Sequence, residues 1–394
     1  MQSAPRRATL VLALTLAATV VPSQPGLAQN QLGTSSRTRA ETSVGGDVSW
    51  LVPRQAAVPG GEPKVTWPAK GRARIAVPGV GTMGNKDSGV KSVPIASVTK
   101  VMTAYTILTD HPLRAGQEGP VITVTKAEAA TYPKRKAEGE SVVKVKAGMR
   151  ITQRQALEAV LIRSGNNMAD ILGRWSAGSP KRFVARMNSK AAELGLTSTS
   201  FADTSGLSQK SRSSTIDLLD LAVAAMKDPT FAEIVATPKA QIPMNTLTTT
   251  NKLLGRNGVI GIKTGSTNAA GGCLLWAATD QVNGETRTIY GVMLGAPGPL
   301  ILTNALKASE KMVVSSRKAL RRVTLLQRGT PVLSVAGDDG VVRQYGVAQT
   351  LAVPGWSGMK YRLGLPIGFT DGQAPTEITV KTSGESIGVG LEEL

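Results

Sequence analysis

Five serines in the chain are followed three residues later by a lysine, and such a pair can activate a hydroxyl without histidine. On a helix, residues three apart are neighbours, so the lysine amine lies beside the hydroxyl and can accept its proton. A serine at a helix N-terminus also gains from the positive end of the helix dipole when its oxygen becomes anionic. The pairs are Ser88/Lys91, Ser97/Lys100, Ser141/Lys144, Ser315/Lys318 and Ser357/Lys360.

Only Ser97 begins an apolar helical pattern. Ser88 and Ser357 precede glycines in turns, and Ser315 falls in the middle of a predicted helix. Ser141 falls in an alternating strand pattern, in which residues three apart point to opposite faces. At this point an ordinary helix cap remains the alternative for Ser97. The apolar residues after Ser97 recur at steps of three and four, at Val98, Val101, Met102, Tyr105 and Leu108.

The chain contains one histidine, His111, and one cysteine, Cys273. A Ser-His-Asp triad, a Cys-His pair or a histidine-ligated metal would have to use His111. With only one cysteine, this chain cannot form an internal disulfide. We predict that His111 is a loop residue beside Pro112 with no catalytic part, and that Cys273 is a small buried strand residue. Most hydrolase chemistries are therefore nearly excluded.

Two later motifs strengthen the case for Ser97. Ser164 and Asn166 form a Ser-x-Asn motif where a helical pattern breaks, but the motif recurs at 266–268 and is weak alone. Lys263-Thr264-Gly265 occurs once, within a run of strand-forming residues. Each of these residues singly could be ordinary polarity of a turn or a strand end. The three motifs in this order are a much stronger signal than any one of them.

The ordered motifs resemble those of the serine penicillin-binding proteins, whose SxxK, SxN and KTG motifs line one cleft. Finer matches are similar to the low-molecular-mass D-alanyl-D-alanine carboxypeptidases, and the resemblance runs from about Pro68 to Leu320. These matches are Pro94 to Lys100, Ser164 to Asn167, Met187-Asn188 with Glu193 to Gly195, Thr199 to Leu207, and Gly261 to Gly265.

The resemblance implies that Ser97, Lys100, Ser164 and Asn166 carry catalysis. Ser97 would attack the carbonyl between two terminal D-alanines, forming an acyl-enzyme and releasing D-alanine before water completes hydrolysis. Lys100 would take the serine proton, which requires its pKa to fall from about 10.4 towards 7 through burial and the nearby charge of Lys263. Ser164 would relay a proton to the leaving amine. Asn166 would hold Lys100 and the substrate amide.

The substrate-binding residues that the resemblance implies are Lys263, Thr264, Gly265 and Ser266. Lys263 would bind the terminal carboxylate by charge, and Thr264 would bind it by a hydrogen bond. Gly265 would let the substrate backbone lie close to the strand and add to it as a further strand. The backbone N–H groups of Ser97 and Ser266 would form an oxyanion hole, each donor being worth about 3 kcal/mol.

Other functions remain open from the sequence. A serine β-lactamase or a transpeptidase would share the fold, and a non-catalytic cell-wall-binding protein could keep the cleft. The middle residue of the Ser-x-Asn motif is Gly165, and no well-placed glutamate can activate a deacylating water, so penicillin is expected to stay attached. We expect no metal and no organic cofactor. The expected partners are peptidoglycan stem peptides and β-lactam antibiotics.

The elements around these motifs predict an α/β (α+β) fold, in which helices pack against an antiparallel sheet beside an all-helical subdomain. By resemblance this is a DD-peptidase/β-lactamase-like catalytic domain over residues 63–320. Residues 321–394 read as a small C-terminal all-β domain. Predicted local features are a capping box at Thr152 and Gln155, and helices over about Pro180 to Leu194, Thr215 to Met226 with Thr215 as its cap, and Leu302 to Leu320.

The N-terminus and the net charge indicate an extracytoplasmic, cell-envelope-associated protein. Arg6 and Arg7 precede an apolar stretch and a small-residue site at Ala28, which predicts a secretory signal peptide over residues 1–28, an uncleaved anchor being the alternative. Residues 29–62 are polar and Gly/Pro-rich, which predicts a flexible lead-in. The net charge is +19, but aromatic residues are only 4%, too few for base stacking. Anionic envelope polymers, not nucleic acid, are therefore the expected partners of the charge.

Overall fold

Most of the strands belong to two antiparallel sheets, one of five strands and one of seven. The structure is a computed structural model that describes residues 48–87, 89–337, 339–367 and 374–394. The predicted signal peptide and the lead-in up to residue 47 lie outside the described residues. Strands β1 to β20 span Val48–Trp50, Gln55–Ala57, Arg72–Val77, Gly81–Asn85, Val93–Pro94, Val121–Thr123, Arg150–Thr152, Arg212–Ser213, Lys239–Ile242, Asn245–Thr248, Val259–Thr267, Gly271–Val282, Glu285–Ala296, Arg321–Leu326, Pro331–Ala336, Val342–Val347, Leu351–Gly355, Lys360–Gly364, Glu377–Lys381 and Ser386–Glu393. Helices α1 to α8 span Lys100–Asp110, Lys126–Ala137, Gln153–Leu161, Asn166–Ala177, Pro180–Glu193, Thr215–Met226, Pro229–Val235 and Ile301–Ala319.

The first sheet has five antiparallel strands in the order β11-β12-β13-β3-β4. Successive residues of a strand point to opposite faces, so β12 contributes to two hydrophobic cores. Leu275 and Ala277 pack with the helical part of the fold, whereas Leu274 and Trp276 pack with residues of α8 on the other face. The predicted antiparallel sheet packed by helices is confirmed.

Helix α1 is the central helix of the helical part. It contacts α3, α4, α5 and α6, and Val101, Met102 and Ile107 are fully buried. A helix surrounded in this way can hold a buried side chain at its first residue. Helix α3 begins with the predicted capping box of Thr152 and Gln155, which is confirmed. Among the described residues, no helix combines the length and the apolarity needed to cross a bilayer.

Two predictions near helix ends are wrong. Helix α6 is capped by Ser214, whose hydroxyl accepts from the Asp217 N–H, and not by Thr215. The alternating pattern around Ser141 forms no strand, since residues 140–149 contain none. The Asn167 side chain instead bonds both backbone groups of Val143, so a side chain takes the place of a partner strand.

Helix α2 has no counterpart among the elements predicted from the sequence. It buries none of its side chains, so no apolar period marks it. Its sequence signal is the capping box formed by Thr125 and Glu128. This helix matters to the site because its last turn carries Arg135.

The second sheet has seven strands in the order β1-β15-β16-β20-β19-β18-β2, with β14 and β17 paired beside it. Val332, Leu333, Ile378 and Val380 are fully buried in its core. The strands predicted after residue 320 are therefore present in the described residues.

Strands β1 and β2 correct the prediction of a flexible lead-in for residues 48–57. β1 pairs with β15, and β2 pairs with β18. Each strand has only three residues, too few to show an alternating pattern. These two strands are ordered by pairing with strands far later in the chain, and sequence periodicity does not reveal such pairing.

Candidate active site

Ser97 lies in a short 3₁₀ turn, Ala96–Thr99, that runs directly into α1. The sequence pattern places Ser97 at the start of the α-helix, and the structure places it in this preceding turn. Ala96 has a φ of 47°, a left-handed conformation that strains a residue other than glycine. A Cβ at Gly206 would overlap the Ala96 carbonyl, so glycine lets the loop around residue 206 hold the turn. The side chain of Ser97 is half-buried.

Lys100 is fully buried and its Nζ contacts three oxygen atoms. The distances are 2.9 Å to Ser97 Oγ, 2.7 Å to Asn166 Oδ1 and 2.8 Å to the carbonyl oxygen of Ser205. Burial, followed by the charge of Lys263, holds the pKa of Lys100 well below its usual value of 10.5. The amine therefore loses its proton more readily than an ordinary lysine, beside the hydroxyl that it would activate.

Asn166 is fixed between Lys100 and an ion pair. Its Oδ1 accepts from Lys100, and its Nδ2 donates to Glu140 Oε2 at 2.9 Å. Glu140 accepts a hydrogen bond from Arg135 Nε at 2.9 Å, and its Oε2 also lies 2.8 Å from Nη2 in the same ion pair. An ionised carboxylate only accepts hydrogen bonds, so Glu140 turns the amide nitrogen towards itself and the amide oxygen towards Lys100. No sequence motif marks Glu140 or Arg135.

The ion pair continues to the loop that covers Lys100. Arg135 Nη1 donates to Asp170 Oδ2 at 2.7 Å, and Thr204 Oγ1 donates to Asp170 Oδ1 at 2.5 Å. Ser205 follows Thr204 and presents the carbonyl that accepts from Lys100. The polar contacts thus form a closed ring that begins and ends at Lys100. Charged groups in such a ring fix each other's positions more firmly than isolated pairs do.

Ser164 lies between α3 and α4, two residues before Asn166. It is buried and has a φ of 65°, and the next N–H, of Gly165, donates to the Ala159 carbonyl at 2.8 Å. Among the described residues, no hydrogen bond joins the Ser164 hydroxyl to Ser97 or Lys100. Ser164 is therefore linked to the site by its place in the chain, two residues before Asn166.

Lys263 lies on β11, the outermost strand at one edge of the five-stranded sheet. Only 1% of its surface is exposed, and its Nζ donates to the Thr264 carbonyl at 3.1 Å. Burial lowers the pKa of Lys263 from 10.5 to about 7. The site thus holds two buried lysines, and both have depressed pKa values.

The rest of the KTG motif packs against the turn that carries Ser97. Thr264 Oγ1 lies 2.5 Å from the hydroxyl of Thr250, a residue that no motif marks. A Cβ at Gly265 would lie 3.0 Å from the Ser97 nitrogen, so glycine is required for contact between β11 and the turn. This packing gives a second reason for glycine at this position, beside the substrate approach expected for Gly265. Ser266 is exposed and pairs with Gly272 in the sheet.

Among the residues that the structure describes, the side chains of Ser141, Ser315 and Ser357 form no hydrogen bond with Ser97, Lys100 or Asn166. Ser315 is in α8, where its hydroxyl donates to the Lys311 carbonyl at 2.7 Å. Ser357 accepts from Arg321 Nη2 at 2.7 Å. Ser141 is exposed in a segment without regular structure, and Ser88 lies outside the described residues.

His111 and Cys273 are separate from the catalytic residues. The His111 ring lies 4.4 Å from that of Trp175, and its Nε2 is 3.1 Å from Ser176 Oγ. Cys273 is fully buried on β12, and burial raises the pKa of its thiol to about 11. Within the described ranges, no cluster of three or more His, Cys, Asp or Glu side chains could hold a metal ion.

The sequence is similar to those of known D-alanyl-D-alanine carboxypeptidases. A family model described as D-alanyl-D-alanine carboxypeptidase matches residues 82–297. D-alanyl-D-alanine carboxypeptidase DacB2 of Mycobacterium tuberculosis is 35% identical over 221 residues, which cover 54% of this chain and 70% of that protein. DacF of Bacillus subtilis is 32% identical over 222 residues, which cover 55% of this chain and 54% of that protein. The chain therefore matches about half of the length of the Bacillus relative.

Solved structures with a similar fold are also known. A crystal structure of the Streptomyces K15 DD-transpeptidase is 27% identical, with a TM-score of 0.55, and covers 65% of this chain and 98% of that one. Penicillin-binding protein 5 from Haemophilus influenzae is 19% identical, with a TM-score of 0.62, and covers 84% of this chain and 97% of that one. At this identity the second likeness concerns the fold alone.

Proposed function

Because this chain belongs to the D-alanyl-D-alanine carboxypeptidase family, we propose that it hydrolyses the terminal D-Ala-D-Ala bond of peptidoglycan stem peptides. β-Lactam antibiotics would acylate the same serine. The observation that carries the proposal is the 2.9 Å contact between Ser97 Oγ and the buried amine of Lys100. An amine in this position can take the hydroxyl proton without an imidazole.

The reaction divides into acylation and deacylation. Ser97 Oγ attacks the carbonyl carbon while its proton passes to the neutral Lys100 amine. The C–N bond then breaks, the new ammonium returns the proton to the leaving amine, and D-alanine departs. Water attacks the ester in the second step and passes its proton along the same path, which regenerates the Ser97 hydroxyl. Burial and the charge of Lys263 lower the pKa of Lys100 well below 10.5, and each unit of that shift favours the neutral amine by about 1.36 kcal/mol.

Lys263 and Thr264 would bind the terminal carboxylate of the substrate. With a pKa of about 7, Lys263 is close to half protonated in the free protein at neutral pH. A carboxylate placed beside it favours the charged form, so substrate binding completes its protonation. The Thr264 hydroxyl can donate to the carboxylate while it accepts from Thr250. The peptide would align along the outer edge of β11, where the sheet has room for another strand.

Ser164 and Ser266 complete the proposed machinery. Ser164 would relay the proton between Lys100 and the leaving amine, and Asn166 would hold the substrate amide. The N–H groups of Ser97 and Ser266 would stabilise the negative charge of the tetrahedral intermediate, with each donor worth about 3 kcal/mol. The turn and β11 support this role because they pack against each other at Gly265.

The substrate places the protein outside the cytoplasmic membrane. Residues 1–28 would act as the secretory signal peptide that takes it there. The protein would then contribute to the trimming of peptidoglycan and so to cell-wall maintenance. Removal of the two arginines in residues 1–28 changes the net charge from +19 to +17, which still favours acidic envelope polymers.

A labelling experiment tests the proposed function. Wild type, Ser97→Ala and Ser315→Ala are incubated with benzylpenicillin, the adduct is located by mass spectrometry, and D-alanine release from a D-Ala-D-Ala peptide is measured. We expect labelling and release with wild type and with Ser315→Ala, whose serine belongs to another SxxK pair, and neither with Ser97→Ala.

Three results would contradict the proposal. Equal labelling of the Ser97→Ala variant would show that the site is wrong. Labelling of wild type without D-alanine release would indicate a binding protein that keeps the cleft. An adduct that is hydrolysed as fast as it forms would indicate a β-lactamase.

A further inference from the structure

Two grooves outside the catalytic cleft share one tryptophan. The larger has a volume of about 1200 Å³ and is lined by residues of β2, β4, β18 and β19. The smaller has a volume of about 490 Å³ and is lined by residues 66–70 and by α8. Trp67 lines both grooves, and the residues of the SxxK, SxN and KTG motifs line neither. The two grooves therefore adjoin at Trp67, and we name them together the Trp67 track.

The charge of the Trp67 track is strongly positive. Six cationic side chains line it, against the single carboxylate of Glu62. Within the described part of the chain, none of the six forms an ion pair. The six are Lys360, Arg362 and Lys381 in the larger groove and Lys70, Lys307 and Lys311 in the smaller groove.

These cations stand at positions where like charges repel. Arg362 on β18 lies directly opposite Lys381 on β19, and cross-strand pairs of like charge destabilise a sheet. Lys360 and Arg362 are two apart on one strand, so they share a face. Lys307 and Lys311 are four apart on α8, the spacing at which like charges destabilise a helix. A bound anion would remove this repulsion in both grooves.

Trp67 is held as a platform between the two grooves. The edge of its six-membered ring meets Gly84, because a Cβ built there would be 2.8 Å from Trp67 Cζ2 and 3.6 and 3.7 Å from the two adjoining ring carbons. An aromatic face offers a flat apolar surface to a ring-shaped ligand. The outermost strands β2 and β4 also line the larger groove, and edge strands present backbone N–H and C=O groups that can bond to hydroxyls.

We infer that the Trp67 track binds an acidic polysaccharide of the cell envelope, with its carboxylates or phosphates on the six cations and a sugar ring on Trp67. The inference rests on the proposed function for the location of the protein. A volume above the usual 300–1000 Å³ of small-molecule pockets suits a polymer segment.

The described residues favour a polysaccharide over a lipid surface or a nucleic acid. The large apolar side chains that are exposed, such as Leu300, Val314 and Val342, do not line the track, so it offers no apolar side chains for insertion into a membrane. Nucleic acid binding uses several aromatic side chains in succession. In the track, Trp356 is 97% buried and both Tyr361 and Trp67 are half-buried, which leaves too few aromatic faces for a run of stacked bases.

A binding experiment with defined polymers tests the inference. The probes are hyaluronan, which carries carboxylates, phosphomannan, which carries phosphates, neutral dextran, and polyphosphate, which has charge without sugar. We expect wild type to bind at least one acidic polysaccharide at 0.15 M salt at least tenfold more tightly than dextran and polyphosphate, and more weakly as salt rises. The comparison of hyaluronan with phosphomannan distinguishes carboxylate from phosphate.

Matched variants separate the track from the overall positive charge. Lys360→Gln/Arg362→Gln/Lys381→Gln should weaken binding at least tenfold, and Lys70→Gln/Lys307→Gln/Lys311→Gln should weaken it at least fivefold. The control Lys181→Gln/Lys227→Gln/Lys239→Gln removes three exposed cations elsewhere and should change binding less than twofold. Trp67→Leu keeps apolar volume without an aromatic face and should weaken binding at least fivefold.

Some results would overturn the inference. One is a control triple variant that loses as much affinity as the track variants. Another is polyphosphate binding as tightly as the acidic polysaccharides with no effect of Trp67→Leu, which would leave charge alone as the cause.

Penicillin acylation at the wild-type rate confirms that each track variant is folded. A wild type that releases no D-alanine but binds the polymer through the track would contradict the proposed function and support this inference. If wild type releases D-alanine and the track variants bind the polymer as tightly as wild type, the proposed function is supported and this inference is contradicted.

Discussion

The catalytic cleft and the Trp67 track use the same type of side chain in opposite environments. In the cleft, Lys100 and Lys263 are almost completely buried, and their pKa values are depressed. In the track, the lysines are exposed at the surface. Burial makes the charge of a lysine depend on its surroundings, so Lys100 can accept a proton and Lys263 becomes fully charged beside a carboxylate. Exposure keeps the charge of a lysine permanently available to a polyanion.

The surroundings of the two sets of lysines differ accordingly. Lys100 has three oxygen contacts and belongs to a closed polar ring, so its position is fixed. The track cations have no carboxylate partners among the described residues and face each other at repulsive spacings. The comparison teaches that precise placement serves bond chemistry, while accumulated charge serves binding.

Removal of the proposed base, Lys100, should have the largest effect on the rate of acylation. Lys100→Met removes the amine beside Ser97 and should slow benzylpenicillin acylation about 10³-fold, within the range typical of general base catalysis. Lys318→Met, in another SxxK pair, should leave the rate unchanged. The rate is measured by stopped-flow or quenched mass spectrometry. Acylation of Lys100→Met at the wild-type rate would show that the buried lysine does not act as a base, so that it would not differ in role from the exposed lysines.

Displacement of the Ser97 turn should have the next largest effect. Gly265→Ala places a Cβ 3.0 Å from the Ser97 nitrogen, so β11 and the turn must separate. Small misplacements of reacting groups can cost about 10²-fold in rate, and we expect a loss of that order. Gly390→Ala is the control, because a Cβ there meets only Ala348, at 3.9 Å. Equal rates for both variants would show that the contact does not position the nucleophile.

Disruption of the polar ring should have a moderate effect. Arg135→Gln removes the charge that holds Glu140 and Asp170, so Asn166 loses its fixed orientation towards Lys100. We expect acylation about tenfold slower, equivalent to one lost charge-assisted hydrogen bond of ~1.4 kcal/mol, and a shifted pH profile.

An exposed ion pair provides the control for the ring. Arg186→Gln removes the pair with Asp110 and should change neither the acylation rate nor its pH profile. A slower Arg135→Gln whose pH profile is unshifted would indicate a purely structural role for the ring.

The burial of Lys263 should make the free energy of unfolding depend on pH. The pKa of Lys263 is about 7 in the folded protein and 10.5 when exposed, so between these values only the unfolded chain holds the proton. The free energy of unfolding therefore rises with pH between about 7 and 10.5. As pH falls to about 7, the cost of burying the protonated amine reaches its full size and this gain is lost. The unfolding free energy of wild type should rise relative to Lys263→Met by up to about 1.4 kcal/mol per pH unit between pH 7.5 and 9.5. The free energies of unfolding are measured by urea denaturation. If they changed with pH by the same amount in wild type and in Lys263→Met, the burial of this amine would be contradicted.

The sequence predicts the site residues because the motifs are local. Lys100 follows Ser97 by one turn, and Thr264 and Gly265 adjoin Lys263, so their spacing survives in any fold that keeps the helix and the strand. The helices around 180–194 and 302–320 were also predictable, since each buries one face and ends near a cap or a change of pattern.

The sequence does not predict what depends on distant partners. Arg135 lies on a helix without buried side chains, and Glu140 lies in a segment without regular structure, so no period marks the ring. Strand β2 exists only through its pairing with β18. The packing reason for Gly265 likewise appears only once the turn at Ser97 meets β11.

The pH dependence of benzylpenicillin acylation tests most directly whether Lys100 acts as the base. Because the pKa of Lys100 lies well below 10.5, the rate constant should stop rising with pH well before pH 10.5. A rate that keeps rising about tenfold per unit up to pH 10 would show an ordinary lysine pKa. That result would contradict the buried amine as the group that activates Ser97.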